Sequence, residues 1–293
     1  MDELTEIARA VAKGQCILFL GAGVHYGPPA GAPQQYFDAY PEEKRPPLGA
    51  ALSRTLAAES EYLERFPGWD TGDLKRVGWH YEDRLSRNKL MKRIKEEVHV
   101  GKIASPAVRG LAALDFPLVM TTNFDQLFEQ SLRALGKQPQ LSIYSPSSMN
   151  PTEDPTDDPT PENPLVCKLH GDVDDPESAV VTDEDYIQFV LRMGDKAPFH
   201  PVPETFLYRF KRWPTLFIGY SLIDYNLRLL FKAMRVNLDP ALFPETYSID
   251  PKPDQLIVRY WSDQRRYVRF VTQDVWTFVP ALYERIKKAP MPA

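Results

Sequence analysis

The sequence predicts an α/β fold, doubly wound around a mainly parallel sheet, and three observations carry that expectation. Apolar runs of strand length recur along the 293 residues, they are continuous rather than alternating, and helical periodicities fall between them. Strands covered on both faces read as unbroken apolar runs, the pattern of a parallel sheet with helices on either side. The runs are CILFL (Cys16 to Leu20), PLVMTT (Pro117 to Thr122), QLSIY (Gln140 to Tyr144), LVCKLH (Leu165 to His170) and TLFIGY (Thr215 to Tyr220). Two weaker ones follow at TYSID (Thr246 to Asp250) and YVRFV (Tyr267 to Val271).

Between the strands, Phe124, Leu127, Phe128, Leu132 and Leu135 share one helical face, and Leu227, Leu230, Phe231 and Met234 share another. Residues 48–114 read as a block of helices too long for one crossover, with turns at Pro67-Gly68 and Ser105-Pro106. We expect a helical lobe there, inserted between the first two strands and lying beside the sheet. Residues 145–164 are rich in proline and acidic residues and lack apolar periodicity, which predicts a mobile surface loop. The whole of 1–293 is read as a single domain, without room for a fused sensor of appreciable size.

Composition narrows the function classes. Hydrophobic residues at 43% and charged residues at 26% are those of an ordinary globular chain, and 35 basic against 40 acidic residues give a net charge of -5. That balance lacks the basic surplus that neutralises nucleic-acid phosphates, so no direct nucleic-acid partner is expected. No apolar run reaches the roughly 20 residues of a membrane span, and the N-terminus reads as an acidic amphipathic helix, so a cytoplasmic protein with no membrane contact is expected. Cys16 and Cys167 both lie in apolar strands, where a buried thiol is expected rather than a disulfide or a metal site.

In a doubly wound fold, ligands bind beyond the carboxyl ends of the strands, so the residues there matter most. The first strand ends in Gly21, Ala22 and Gly23, where a backbone without side chains can approach a diphosphate. The full GxGxxG pattern fails, because Tyr26 occupies the place of its last glycine. The second strand ends TTNFD, with Thr122, Asn123 and Asp125 at a strand-to-helix junction, where a short polar residue also serves as a helix cap. The LVCKLH strand ends at His170-Gly171-Asp172, and the next at GYSLID, where Ser221 and Asp224 fit a capping box and Gly219 permits close approach.

Taken in order, GAG at Gly21, TTNFD at Thr121, KLHGD at Lys168 and LFIGYSLIDYN at Leu216 resemble the Rossmann-like sirtuin fold. The resemblance is closer still to the sirtuin-like NAD-cleaving domains of bacterial antiviral defence, whose pattern the stretch VVTDEDYIQFV, Val180 to Val190, also follows. Three departures stand out. No cysteine follows Cys167, so the four-cysteine zinc module of sirtuin deacylases is absent. His25 stands where the GAG motif normally continues to a serine, ahead of a proline-rich stretch instead of an arginine-bearing loop. Tyr220 occupies the place of a threonine and makes a bulkier wall.

The resemblance implies that NAD+ is a substrate, not a cofactor, and that no zinc is needed. It implies cleavage of the nicotinamide-ribose bond, with Asn123 fixing a water or ribose hydroxyl and His170 acting as general base. Cofactor-type contacts then fall to Gly21, Ala22 and Gly23 at the diphosphate, to His25, Thr122 and Asp125 around the loop, and to Gly219, Ser221 and Asp250 on the adenosine side. His80, His99 and His200 are read as packing or surface residues. The expected activity is NAD+ glycohydrolysis in antiphage defence. The rivals are a protein deacylase or ADP-ribosyltransferase, and a module that binds NAD or ADP-ribose without cleaving it. By the same analogy, a homo-oligomer and a HerA-type ATPase partner are expected.

Overall fold

The computed structural model describes residues 2–147, 152, 155, 157–195, 200, 202–222, 244–261 and 268–292. Seven parallel strands form one sheet: β1 (Ile17–Leu20), β2 (Leu118–Thr121), β3 (Gln140–Ile143), β4 (Leu165–Lys168), β5 (Thr215–Ile218), β6 (Thr246–Ile249) and β7 (Arg269–Val271). Their order is β3-β4-β2-β1-β5-β6-β7. The chain passes from β1 to β2, goes out to the edge at β3 and returns to β4, then crosses to the other side of β1 for β5, β6 and β7, so the topological switch point lies at β1.

The continuous apolar runs have the cause the sequence suggested. Every residue of β1, β2, β4, β5 and β6 is buried, whereas the edge strands β3 and β7 are partly exposed. Alternate side chains serve two cores. Leu18, Leu20, Val119 and Leu216 pack on one face with Val11, Leu111, Phe128 and Leu282, which come from the helices Glu3–Ala12, Pro106–Ala112, Leu127–Ala134 and Val275–Lys287. Phe19, Met120, Cys167 and Phe217 pack on the other with Phe189, Phe206 and Trp261 from helices Asp183–Arg192, Glu204–Phe210 and Gln255–Trp261. Cys16 and Cys167 are buried in these layers, and neither is in a disulfide.

A third apolar cluster stands apart. Leu52 and Leu56 from helix Gly49–Glu59, Val77 and Tyr81 from Leu74–Leu85, and Leu90 and Ile94 from Arg87–Val98 close around Val173, Ala179 and Val181, which follow β4. Arg87 fixes the join, donating to Asp185 at 2.8 Å and to Glu82 at 3.0 Å. Asp185 itself completes a capping box with Thr182 at the start of helix Asp183–Arg192. The helix Pro106–Ala112 belongs instead to the layer over the sheet, where Ala107, Val108 and Leu111 are buried.

Several sequence expectations shift in detail. The helix after β2 begins at Leu127, not Phe124, because Phe124 turns into the third cluster. The strand expected to reach His170 ends at Lys168. The second periodic helix (Leu227, Leu230, Phe231, Met234), Asp224, Tyr267 and parts of the 145–164 segment lie outside the described residues. No helix among the described residues is long and apolar enough to cross a membrane.

Candidate active site

The strand register brings the motifs together. Leu20 pairs with Thr121 on one side and Ile218 on the other, Thr121 with Lys168, and Ile218 with Ile249. Five strands thus end in one row, and the residues after them leave the sheet along a single edge.

After β1 the chain makes one tight turn, Ala22–His25. The glycines on either side of Ala22 have a structural duty that precedes any ligand. Gly23 N–H donates to Gly219 O at 2.9 Å, and Gly21 N–H to Ile218 O at 3.0 Å. A Cβ on Gly21 would lie 2.5 Å from Gly219 O, and one on Gly219, whose φ is +76°, would lie 2.3 Å from Val24 N. The two loops touch backbone to backbone, and only glycine fits.

After β2, Thr121 turns the chain by donating to Leu20 O (2.9 Å) and accepting from Asn123 N–H (3.0 Å). Thr122 Oγ1 lies 2.6 Å from Tyr220 Oη. Asp125 is buried and accepts from Leu127 N–H at 2.9 Å through one oxygen, while the other meets His25 Nε2 at 3.1 Å. Burial alone would raise the Asp125 carboxyl, but the His25 ring, the nearby Lys168 ammonium and the Leu127 N–H outweigh it and hold it down to about 2. Because this folded-state value is depressed, the stabilisation is present above the ordinary carboxylate range and is lost as pH falls from about 4 towards 2. Asp125→Asn is therefore expected to lower stability at neutral pH by on the order of 2 kcal/mol and to flatten its pH dependence in that window. Urea unfolding at stepped pH values checks it; parallel curves for the two proteins would refute it.

The loop holding Asn123 is fastened from below. Lys168, with its side chain fully buried at the end of β4, donates to the carbonyls of Phe124 (3.3 Å) and Asp125 and pairs with Glu129 (3.0 Å) and Asp172 (2.8 Å). Burial opposes its charge, yet Glu129 and Asp172 prevail and hold the ammonium above the usual lysine range. Asp172 also accepts from Gln126 Nε2 at 2.7 Å. Two residues beyond Lys168, the His170 ring stands edge-on to Tyr186 and Phe189, with centroids 5.1 and 5.5 Å away. Gly171 follows at φ +80°, where any Cβ would strike Ser178 O at 2.3 Å.

Two cavities open along this edge. The larger, about 830 Å³, is lined by Ala22, His25, Thr122, Asn123, Asp125 and His170, and on its far side by residues of the third cluster. The second, about 550 Å³, takes Gly23, Asp250 and Trp276 into its wall. Ala22, Gly219, Tyr220 and Ser221 line both. Of the catalytic and ligand-contact residues expected from the sequence, Gly21 alone lines neither, because it faces Gly219. Among the described residues no group of three or more His, Cys, Asp or Glu is placed to hold a metal ion.

The profile of the SIR2-like domain matches residues 117–269, just over half of the chain. The chain belongs to the SIR2-like family. Its matched span runs from β2 to β7, so this SIR2-like region carries Asn123, His170 and the Gly219 loop, whereas Gly21–Gly23 and the helices of the third cluster precede it. Curated relatives include proteins named NAD(+) hydrolase ThsA. That of Enterococcus faecium is 27% identical over 80% of this chain and 44% of its own. That of Acinetobacter baumannii (strain 532279) is 24% identical over 97% of this chain and 55% of its own. A third, from Bacillus cereus (strain MSX-D12), is 29% identical over 43% of this chain. The chain spans about half the length of the first two relatives.

Sequence reasoning missed several residues of this SIR2-like site. Lys168 and Asp172 lie within the KLHGD motif, but their pairing with each other and with Glu129 is not legible there, because a lysine inside an apolar strand gives no hint of its partners. Lys75, the one lysine or arginine among the described residues on the wall of the larger cavity, lies 5.5 Å from the Tyr186 ring and comes from the helical insert, where no motif marks it. His80 and His99, read as packing or surface residues, contact Ser60 O at 3.0 Å and the Gln126 N–H at 3.5 Å.

Proposed function

We propose that the chain is an NAD+ glycohydrolase that cleaves the nicotinamide-ribose bond to give nicotinamide and ADP-ribose. The observation that carries this reading is that Asn123 and His170, which arrive from different strands, line one cavity whose Ala22 and Gly219–Ser221 wall is shared with a second. A dinucleotide laid across that wall would put its nicotinamide ribose beside Asn123 and His170 and its adenosine beside Asp250 and Trp276. The name of the curated relatives, NAD(+) hydrolase, supports the same reading.

The chemistry follows from the residues. As the glycosidic bond lengthens, positive charge gathers on the ribose, and a nucleophile must be held at its face. His170 is the general base towards a ribose hydroxyl or water, since imidazole titrates near neutral pH. Asn123 orients the oxygen without adding a charge. Tyr186 and Phe189 fix the His170 ring by edge contacts, so little freedom has to be frozen when substrate enters. Ala22 and Gly23 face the diphosphate, Ser221 faces the adenosine side, His25, Thr122 and Asp125 shape the loop around Asn123, and Gly219 lets the two loops close.

Incubation with NAD+ tests this. Nicotinamide and ADP-ribose are expected in equal amounts; tight binding of ADP-ribose beside an intact NAD+ pool would replace the enzyme with a binding module. The motif resemblance extends the proposal to NAD+ depletion in antiphage defence, in the cytoplasm, by a homo-oligomer working beside a HerA-type ATPase. Mass measurements that show a monomer, alone and with such an ATPase, would remove the assembly from the proposal.

A further inference from the structure

The Asn123 amide has a neighbour that decides which of its two ends meets a ligand. His25 is buried, with Nε2 3.1 Å from Asp125 Oδ2 and 3.4 Å from the near end of the Asn123 carboxamide. An ionised carboxylate only accepts hydrogen bonds, so Nε2 must carry a proton, whether the ring is neutral or an imidazolium. A nitrogen that donates to Asp125 cannot accept from an amide NH2. The two ends of a carboxamide are isosteric, and the hydrogen-bond network chooses between them. Here the single Nε2 proton, shared between Asp125 Oδ2 and the amide, sets the carbonyl oxygen of Asn123 against His25 and puts the NH2 group at the opposite end. That end is buried and has no hydrogen-bond partner among the described residues, while Asn123 itself lines the larger cavity.

We propose that His25, held by Asp125, is a positioning residue: it takes up the carbonyl of Asn123 and leaves the NH2 group as the donor to an acceptor oxygen of the ligand. On the glycohydrolase reading, on which the identity of that oxygen rests, it is a ribose hydroxyl or the attacking water. Asn123 then holds the reacting oxygen by donation and leaves its proton to His170. The pair is fixed from both sides. Tyr40 Oη donates to the His25 carbonyl at 3.1 Å, and the other Asp125 oxygen is taken by Leu127 N–H at 2.9 Å. An unmet buried donor is costly, and an oxygen entering the cavity relieves that cost.

Two measurements on the full chain test the proposal. With asparagine side chains isotope-labelled, the Asn123 NH2 signals, identified by their loss in Asn123→Ala, are expected to move in His25→Ala and on addition of ADP-ribose, and to stay in place in the remote variant Lys287→Ala. Asn123 signals indifferent to His25→Ala would overturn it. In kinetics, His25→Ala should lower kcat on the order of 10²-fold while KM changes by less than about threefold. His25→Gln, which keeps a donor, should recover much of the loss and serves if the alanine variant does not fold. The double variant His25→Ala/Asn123→Ala should be no slower than Asn123→Ala alone, because one residue acts through the other; additive losses would contradict it. If the parent chain releases no nicotinamide, the functional reading fails, and the amide signals still decide whether His25 sets Asn123.

Discussion

Replacing either Asn123 or His170 by alanine is expected to cut nicotinamide release by on the order of 10²- to 10⁴-fold, the range set by loss of a positioned donor or a general base. The loss should fall on kcat more than on KM, because most binding surface for a dinucleotide lies elsewhere, along the Ala22 and Gly219–Ser221 wall and in the cavity of Asp250 and Trp276. Neither substitution removes a core anchor. Asn123 sits in a loop held by its own backbone N–H to Thr121 and by the Phe124 carbonyl to Lys168, and the His170 ring contributes edge contacts to Tyr186 and Phe189. Thermal unfolding within a few degrees of the parent chain separates a chemical defect from a folding one. Release retained in both variants would move the reaction away from this cavity.

Lys168→Met is expected to be the most destabilising single change near the site. It leaves Glu129 and Asp172, both almost fully buried, without their counter-ion, and it frees the carbonyls of Phe124 and Asp125. Breaking a buried pair from one side costs on the order of 3–5 kcal/mol, most of it the burial of an unpaired charge. The neutral triple variant Lys168→Met, Glu129→Gln, Asp172→Asn should recover a large part of that loss in denaturant unfolding, since no uncompensated charge remains. Equal instability of the single and triple variants would show that the carbonyl contacts, not the charges, dominate. The recovered protein should still cleave slowly, because the loop presenting Asn123 has lost its fastening.

These two outcomes mark where the sequence is transparent and where it is not. Strand positions can be read because β1, β2, β4, β5 and β6 are buried on both faces, so their apolar runs are unbroken. The parallel order then follows from the helices between them, and the strand ends direct attention to TTNFD, KLHGD and GYSLID. Local pattern fails where a residue answers to a distant one. Phe124 shares a helical phase with Leu127 and Phe128 but packs into the third cluster, so the helix starts three residues later. The His25–Asp125 contact joins residues 100 positions apart, and Lys168 reaches back across 39 positions to Glu129. The GAG glycines can be found from sequence as a turn, yet their closest constraint, Gly219 in the loop after β5, is visible only in three dimensions.

A single incubation weighs the proposed reaction against its rivals. The chain is mixed with NAD+ in heavy-oxygen water, and the nucleotide product is weighed by mass spectrometry, alongside the Asn123→Ala/His170→Ala double variant. Hydrolysis at the cleft predicts free ADP-ribose carrying one heavy oxygen from the parent chain and none formed by the variant. Nicotinamide release that continues undiminished in the double variant, or that leaves no labelled ADP-ribose, would contradict it.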